Sequence, residues 1–446
     1  MWSKDKGMDR QRHEARPFPY LVFLVFFHMV FSSVLFGALP DIKNDWGGHI
    51  KVQGSQLFYD DQSFWGFWGD ETGFDTSFDL RLKDTLGFGE NLMIETHYDL
   101  SGVRGDTYEK TRQIKTMFPD LPSGLLSRDS SSDQVRLFDL SSSIREKGDN
   151  ALYHRLDRLF LTLKHPWGEC RLGRQAVTWG NGMMFNPMDV FNPFSPTDIQ
   201  RDYKMGDDLV SLSWNTGGFG DIQGLYVPRR NLTTGNVDSN ESSWALRNHL
   251  FIGEMELDLM GACHYREAIA GIGLSGSLGD TAYRSDLVWS GLRHSEHDQN
   301  SYISFVVNLD YSWVWWDKNF YGLVEYYHNG LGHHDTEDSL FDPDLLARIT
   351  RNELFVLGRH YLGTQLQMEI HPLLSVNVNV IASITEPSAI IQPRLLWNSS
   401  QNTSLQWGLT LYRGAHGNEF GGVLIPGTPL YTTSPNSTYV IGSWYF

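Results

Sequence analysis

Two stretches of the chain gather the side chains that hydrolytic or metal chemistry uses. His294-Ser295-Glu296-His297-Asp298 and His328…His333-His334-Asp335 set imidazoles beside carboxylates. Such neighbours can act as a base or as ligands. Glu337, Asp338, Asp342 and Asp344 follow, hard oxygen donors of the kind a divalent cation takes, but without a fixed ligand spacing. No phosphate loop, dinucleotide fingerprint or zinc signature occurs. Histidines among acids in loops otherwise read as solvated surface. The expectation is therefore no catalytic residue, no metal and no cofactor.

The remaining charges recur inside segments that alternate apolar and polar residues. In Phe74–Lys83, Phe74, Phe78, Leu80 and Leu82 oppose Asp75, Asp79, Arg81 and Lys83. In Asn91–Leu100, Leu92, Ile94, Tyr98 and Leu100 oppose Glu95, His97 and Asp99. Leu374–Ser383 sets Val376, Val378 and Val380 against Asn377 and Asn379. Successive strand side chains point to opposite faces, so each segment has one apolar and one polar face. Many segments run near ten residues, about the length that crosses a bilayer at a tilt. Among sheets, only a closed barrel pairs every backbone group in lipid.

Composition agrees. The 446 residues are 41% hydrophobic and 20% charged, with 13% aromatic, which speaks against both a helical membrane protein and a disordered chain. A net charge of -17 demotes nucleic-acid binding, and two cysteines cannot make a disulfide framework. Residues 1–16 carry Lys4, Lys6, Arg10, Arg12 and Arg16, followed by the apolar run Tyr20 to Phe36 and Gly37-Ala38. This reads as a signal peptide over 1–38, an uncleaved anchor being the other reading. Cutting after Ala38 leaves Phe36 where a small residue is expected.

Eighteen alternating segments can be traced from about residue 46 to 446. Links such as HPWGE, SLGDT and IHPLL are short, whereas 102–152, 179–206, 230–242, 330–358 and 414–436 are long. Short turns on one side and long loops on the other are the outer-membrane pattern. The fold class expected is all-β, a closed antiparallel transmembrane β-barrel over 39–446 of about 18 strands, with 16 as the fallback. The last segment, STYVIGSWYF, ends on Phe446 and resembles the C-terminal strand of bacterial outer-membrane barrels, whose terminal aromatic the barrel-insertion machinery reads.

One stretch cannot be strand. After Trp179-Gly180 come Pro187, Pro193 and Pro196, which exclude a ladder interior. Ser195-Pro196-Thr197-Asp198 predicts a short helix to about Tyr203. Met183, Met184, Phe185, Met188, Phe191 and Phe194 make 179–206 too apolar for solvent, so it should fold inward as a constriction loop. Its phrase GRQ–WG–NP–D–FNPFSPT–D resembles an uncharacterised porin-like outer-membrane family of Gram-negative bacteria. That resemblance implies a channel in the outer membrane, in contact with lipid and lipopolysaccharide.

The function expected is passive diffusion of small polar solutes. The alternatives are a barrel partner of an export or assembly system, or a plugged binding barrel without an open pore. A barrel enzyme would be marked by a Ser-His or Asp-His pair at hydrogen-bond distance. The pore-lining or constriction candidates are Arg174, Asp189, Asp198, Arg201, Asp202, Lys204, Asp79, Arg81, Glu95 and Asp99. Arg174, kept out of lipid, should point inward to Asp189 and Asp198. Mixed lumen charges either line water or form opposing arrays that orient a dipolar solute, and a slight acid excess suggests a cation lean.

Overall fold

A computed structural model describes residues 42–118, 133–198, 201–292, 300–425 and 427–446. The expected signal peptide lies outside them. The strands are β1 (Ile42–Phe58), β2 (Thr72–Phe88), β3 (Leu92–Gly105), β4 (Ser141–Lys147), β5 (Asn150–His165), β6 (Gly168–Gln175), β7 (Asp207–Asn215), β8 (Gly220–Val227), β9 (Ser243–Ile252) and β10 (Met255–His264). There follow β11 (Glu267–Leu278), β12 (Thr281–Gly291), β13 (Ser301–Trp315), β14 (Lys318–His328), β15 (His360–His371), β16 (Leu374–Ser383), β17 (Ser388–Asn398), β18 (Thr403–Arg413) and β19 (Asn436–Tyr445). β1 pairs with β2 on one side and β19 on the other, all antiparallel, so the sheet closes. β4 pairs only with β5 and stands outside the circuit, which leaves an 18-stranded barrel.

The alternation read from the sequence separates lipid from lumen. On β13, Val307 and Leu309 are 46% and 50% exposed, while Val306 and Asn308 between them are 0% and 1%. Val52, Leu159, Leu172, Leu212, Ile272, Leu287, Val324, Leu366 and Val440 extend the exposed apolar band around the wall. Such a band on a closed barrel suits the hydrocarbon of an outer membrane. Among the described residues no helix is long and apolar enough to cross a membrane. Cys170 and Cys263 are free.

The last strand is locked by the chain end. Phe446 exchanges two backbone hydrogen bonds with Gly48, at 2.8 and 3.1 Å. A Cβ on Gly48 would lie 2.8 Å from the Phe446 ring and 2.1 Å from the Arg81 carbonyl, so the close approach needs glycine there.

Three elements depart from the sequence reading. Helix α1 (Asp106–Met117) and β4 lie in a stretch read as loop, and helix α2 (Pro343–Thr350) lies in another. α2 starts on Asp342, whose carboxylate accepts from the Asp344 and Leu345 amides, with Pro343 in the first turn. Conversely, no helix forms in the described part of 195–203. The Thr197 carbonyl accepts instead from Gln392 on the opposite wall at 3.1 Å. The Arg201 amide, which a helix would have given to that carbonyl, goes to Asp198 Oδ1 at 3.3 Å.

Candidate functional site

The inward segment begins where β6 leaves the wall at Gln175 and ends where β7 rejoins it at Asp207. Arg174 holds that junction. It is 1% exposed and points inward, as expected, but not to the expected partners. Its Nε and Nη2 donate to the two oxygens of Asp208 at 2.8 and 3.0 Å, and Nη1 donates to Asp133 at 2.7 Å. Asp208 sits directly opposite Arg174 in the β6–β7 ladder, so register decides the pair. Asp189 instead pairs with buried Lys204, and Asp198 pairs with Arg201 at 3.1 Å. An Arg–carboxylate fork fixes geometry as well as charge, so the junction is stiff.

From there the segment crosses the lumen. Trp179, Met188 and Phe191 pack on the inner wall with Leu209, Leu225, Met260, Ile269 and Val288. Burying each such side chain stabilises by about 1.5–3 kcal/mol. Asn181 is held twice by Asp286 of β12, through its amide at 2.7 Å and its side chain at 2.9 Å. Farther on, the amides of Met183, Met184 and Phe185 converge on the Glu325 carboxylate of β14 at 2.7, 3.0 and 2.7 Å. Glu325 is 0% exposed, and Asn308 donates a fourth hydrogen bond at 3.1 Å. Phe185 stacks on Tyr327 at 4.6 Å. A Cβ on Gly363 would lie 2.5 Å from Met184 Sδ, so a side chain there would displace the Met184 thioether where the segment passes β15.

The return limb runs to the far wall. Asp202 bonds Lys51 of β1 at 2.6 Å and accepts from Tyr445 of β19 at 3.1 Å. Tyr203 accepts from Lys83 at 2.6 Å, lies 4.3 Å beneath the Arg81 guanidinium, and stacks on His49 at 5.8 Å. Beside this traverse lies a cavity of about 660 Å³ against β1, β2, β3 and β5. α1 roofs it with Thr107, Tyr108, Thr111, Arg112 and Lys115. The other face of α1 is buried through Ile114, among Tyr59, Trp65 and Ile425, and through Lys110, whose ammonium donates to the Trp65 carbonyl at 2.9 Å. Tyr108 donates to Glu146 at 2.6 Å, and burial with that carboxylate beside it raises its phenol pKa.

Six acids and six Lys or Arg line this cavity. They are interlaced rather than arrayed. Arg81 bonds Asp99 at 3.2 Å and Asp157 at 2.6 Å, and Asp79 bonds His49 at 2.7 Å. Of the candidates read from sequence, Asp79, Arg81, Asp99, Arg201 and Asp202 meet here. Glu95 lies nearer the inner end of the wall, against His97 at 3.1 Å. Arg174, Asp189 and Lys204 are sealed in the segment's attachments.

Sequence reasoning missed Asp157, Arg155, Tyr153 and Tyr203. A bulge explains the first. His97 pairs with Arg158 while Tyr98 pairs with Leu156, so Asp157 is the extra residue. It turns consecutive residues to the same side, and Arg158 bonds Asp157 at 2.6 Å. The run Leu156-Asp157-Arg158-Leu159 breaks strict alternation and was the available signal.

Several pairs meet the distance criterion for an enzyme, among them Asp79–His49, Asp258–His249, Asp342–His333 and Ser142–His154, and one Ser–His pair extends to a carboxylate. Ser243 Oγ lies 2.8 Å from His264 Nδ1, and His264 Nε2 lies 3.0 Å from Glu353. Ser243 and His264 are 0% and 1% exposed, and Arg351 already occupies Glu353 at 2.6 Å. A nucleophile must be reached by its substrate, so this trio serves as a tie between the 329–359 loop and the wall. The 294–298 cluster lies outside the described residues. His333 is held by Asp342 at 2.8 Å. Among the described residues no three His, Cys, Asp or Glu side chains converge as a ready metal site.

No protein-family model matches the chain, and no curated protein does. Solved structures similar in outline include Acinetobacter baumannii OccAB4, at 9% identity and TM-score 0.49, covering 92% of this chain and 99% of that one. Pseudomonas aeruginosa OccK2 (OpdF), solved with glucuronate, gives 10% identity and TM-score 0.49 over 92% and 98% of the two chains. Vibrio cholerae OmpT, an outer membrane protein, gives 9% and 0.40 over 91% and 100%. The architecture rests on the strand pairing of this chain, not on those faint likenesses.

Proposed function

We propose that the protein is an outer-membrane channel for passive diffusion of small polar solutes, its path running along the β1–β5 wall. The observation that carries this reading is the cavity itself. Val177 to Phe191 pack on the wall from β7 to β17 and the return limb reaches β1, β2 and β19, yet the β1–β5 wall keeps a polar space of about 660 Å³. Passage needs only a sized and charged path. Lys51, Asp79, Arg81, Asp99, Arg201 and Asp202 supply its charged lining. Phe446 would present the last strand to the barrel-insertion machinery, and the apolar band would meet lipid and lipopolysaccharide.

A second reading, a plugged binding barrel, is favoured by Tyr203. It lies between the cavity and Lys83 and closes the inner end in the described arrangement. Planar-bilayer recording separates the two. A channel gives discrete steps in the native protein, and Tyr203→Ala enlarges them. A plug gives none in the native protein, and steps only after Tyr203→Ala.

A further inference from the structure

We propose a divalent-metal site on the outer face of the rim, built on the cross-strand pair His328 and His360 and taking Zn2+ or a similar borderline-soft cation. The two residues are direct partners in the β14–β15 ladder. Directly opposed residues project to the same side of a sheet, so register alone brings the two imidazoles together. Their Nδ1 atoms are 3.4 Å apart. Two nitrogens each bound to zinc at about 2.0–2.1 Å in a tetrahedral site lie about 3.3–3.4 Å apart, so the pair already has the bite that the ion needs.

The surroundings suit a ligand that arrives from the medium. Tyr326 brings its hydroxyl to 2.7 Å from the same His360 nitrogen, a hydrogen bond that metal binding would exchange. Phe305 packs against the His328 ring at 5.2 Å and limits its rotation. His334, exposed on the following loop, has its ring centre 6.0 Å from that of His360. A swing of that side chain supplies a third nitrogen, and water completes the set. Neutral imidazoles select zinc, nickel and copper over magnesium or calcium. With His334 engaged, the ion would pin the 329–359 loop to the wall from outside, opposite the Ser243–His264–Glu353 tie inside. This site is separate from the cavity and does not depend on the channel reading.

The test is calorimetric titration of ZnCl2 into the refolded, detergent-solubilised protein, with His328→Asn, His360→Asn, His334→Asn and the 328/360 double variant alongside. Heat-modifiable gel mobility establishes that each barrel is folded. One zinc per barrel is expected, with affinity reduced at least tenfold in either single variant and abolished in the double. His334→Asn should lower it less. With Cu2+ as the probe, electron paramagnetic resonance should show nitrogen coupling that the double variant loses. Zinc binding unchanged in a folded double variant, or no zinc binding in the native protein, would overturn the proposal.

Discussion

Glu325 concentrates more of the inward segment's attachment than any other side chain. Three consecutive amides and Asn308 converge on one fully buried carboxylate. Hydrogen bonds to a charged group contribute about 1.5–3 kcal/mol each, and leaving donors unmet costs similarly. Glu325→Ala should therefore lower resistance to urea by several kcal/mol or detach 181–187 from β14, which limited proteolysis would read. An unchanged urea midpoint and cleavage pattern would show that the apolar packing alone suffices. Glu419 gives a pH signature at the outer rim. It accepts from the Leu357 amide at 2.7 Å and from the Tyr361 hydroxyl. Burial pushes it from 4.5 up to about 7. The folded state then holds a proton that the unfolded chain has released, so this residue's stabilisation is full below about 4.5 and is lost as pH rises to about 7. Glu419→Gln should flatten that part of the stability–pH curve, and an unaltered slope in the variant would remove Glu419 as its cause. At this scale the sequence was only partly legible. Alternation placed Asp79, Arg81 and Asp99 inside. The bulge that turns Asp157 inward shows in the sequence only as the broken alternation at 156–159, and the ladder register that gives Arg174 to Asp208 is a tertiary fact that no local pattern near 174 encodes.

Elements follow the same division. The eighteen wall strands were readable because a lipid face and a lumen face impose period two along each one, and the C-terminal STYVIGSWYF marks the closing strand. Residues 179–206 were readable as inward because Phe and Met dominate a proline-punctuated stretch. In the described part of 195–203 the expected helix is absent, and Gln392 and Asp198 take hydrogen-bonding groups that a helix would need. α1 was missed because its placement rests on Lys110 and Ile114 fitting among Tyr59, Trp65 and Ile425, contacts distant in sequence. Asp342-Pro343 was a usable start signal for α2. If the inward segment constricts the lumen, deleting 183–200 should raise single-channel conductance severalfold in a correctly folded barrel. Unchanged conductance would reduce the segment to a brace.

For the whole molecule the decisive quantity is the passage that remains once the barrel is furnished. An 18-stranded barrel is wide enough for an aqueous channel. Here an apolar traverse packs across the lumen, and beside one wall the described residues leave a charge-balanced cleft. With six acids against six bases, mostly in hydrogen-bonded pairs, the cleft lacks the acid excess that the lumen charges suggested from sequence. A reversal potential close to zero is expected in a salt gradient, and a strong preference of either sign would place the selective charges elsewhere. The most direct measurement is single-channel recording of the native protein beside Tyr203→Ala in a planar bilayer. The account predicts small, discrete conductance steps for the native barrel and larger ones for the variant. A folded native barrel that conducts nothing, or a variant indistinguishable from it, would contradict a path along the β1–β5 wall.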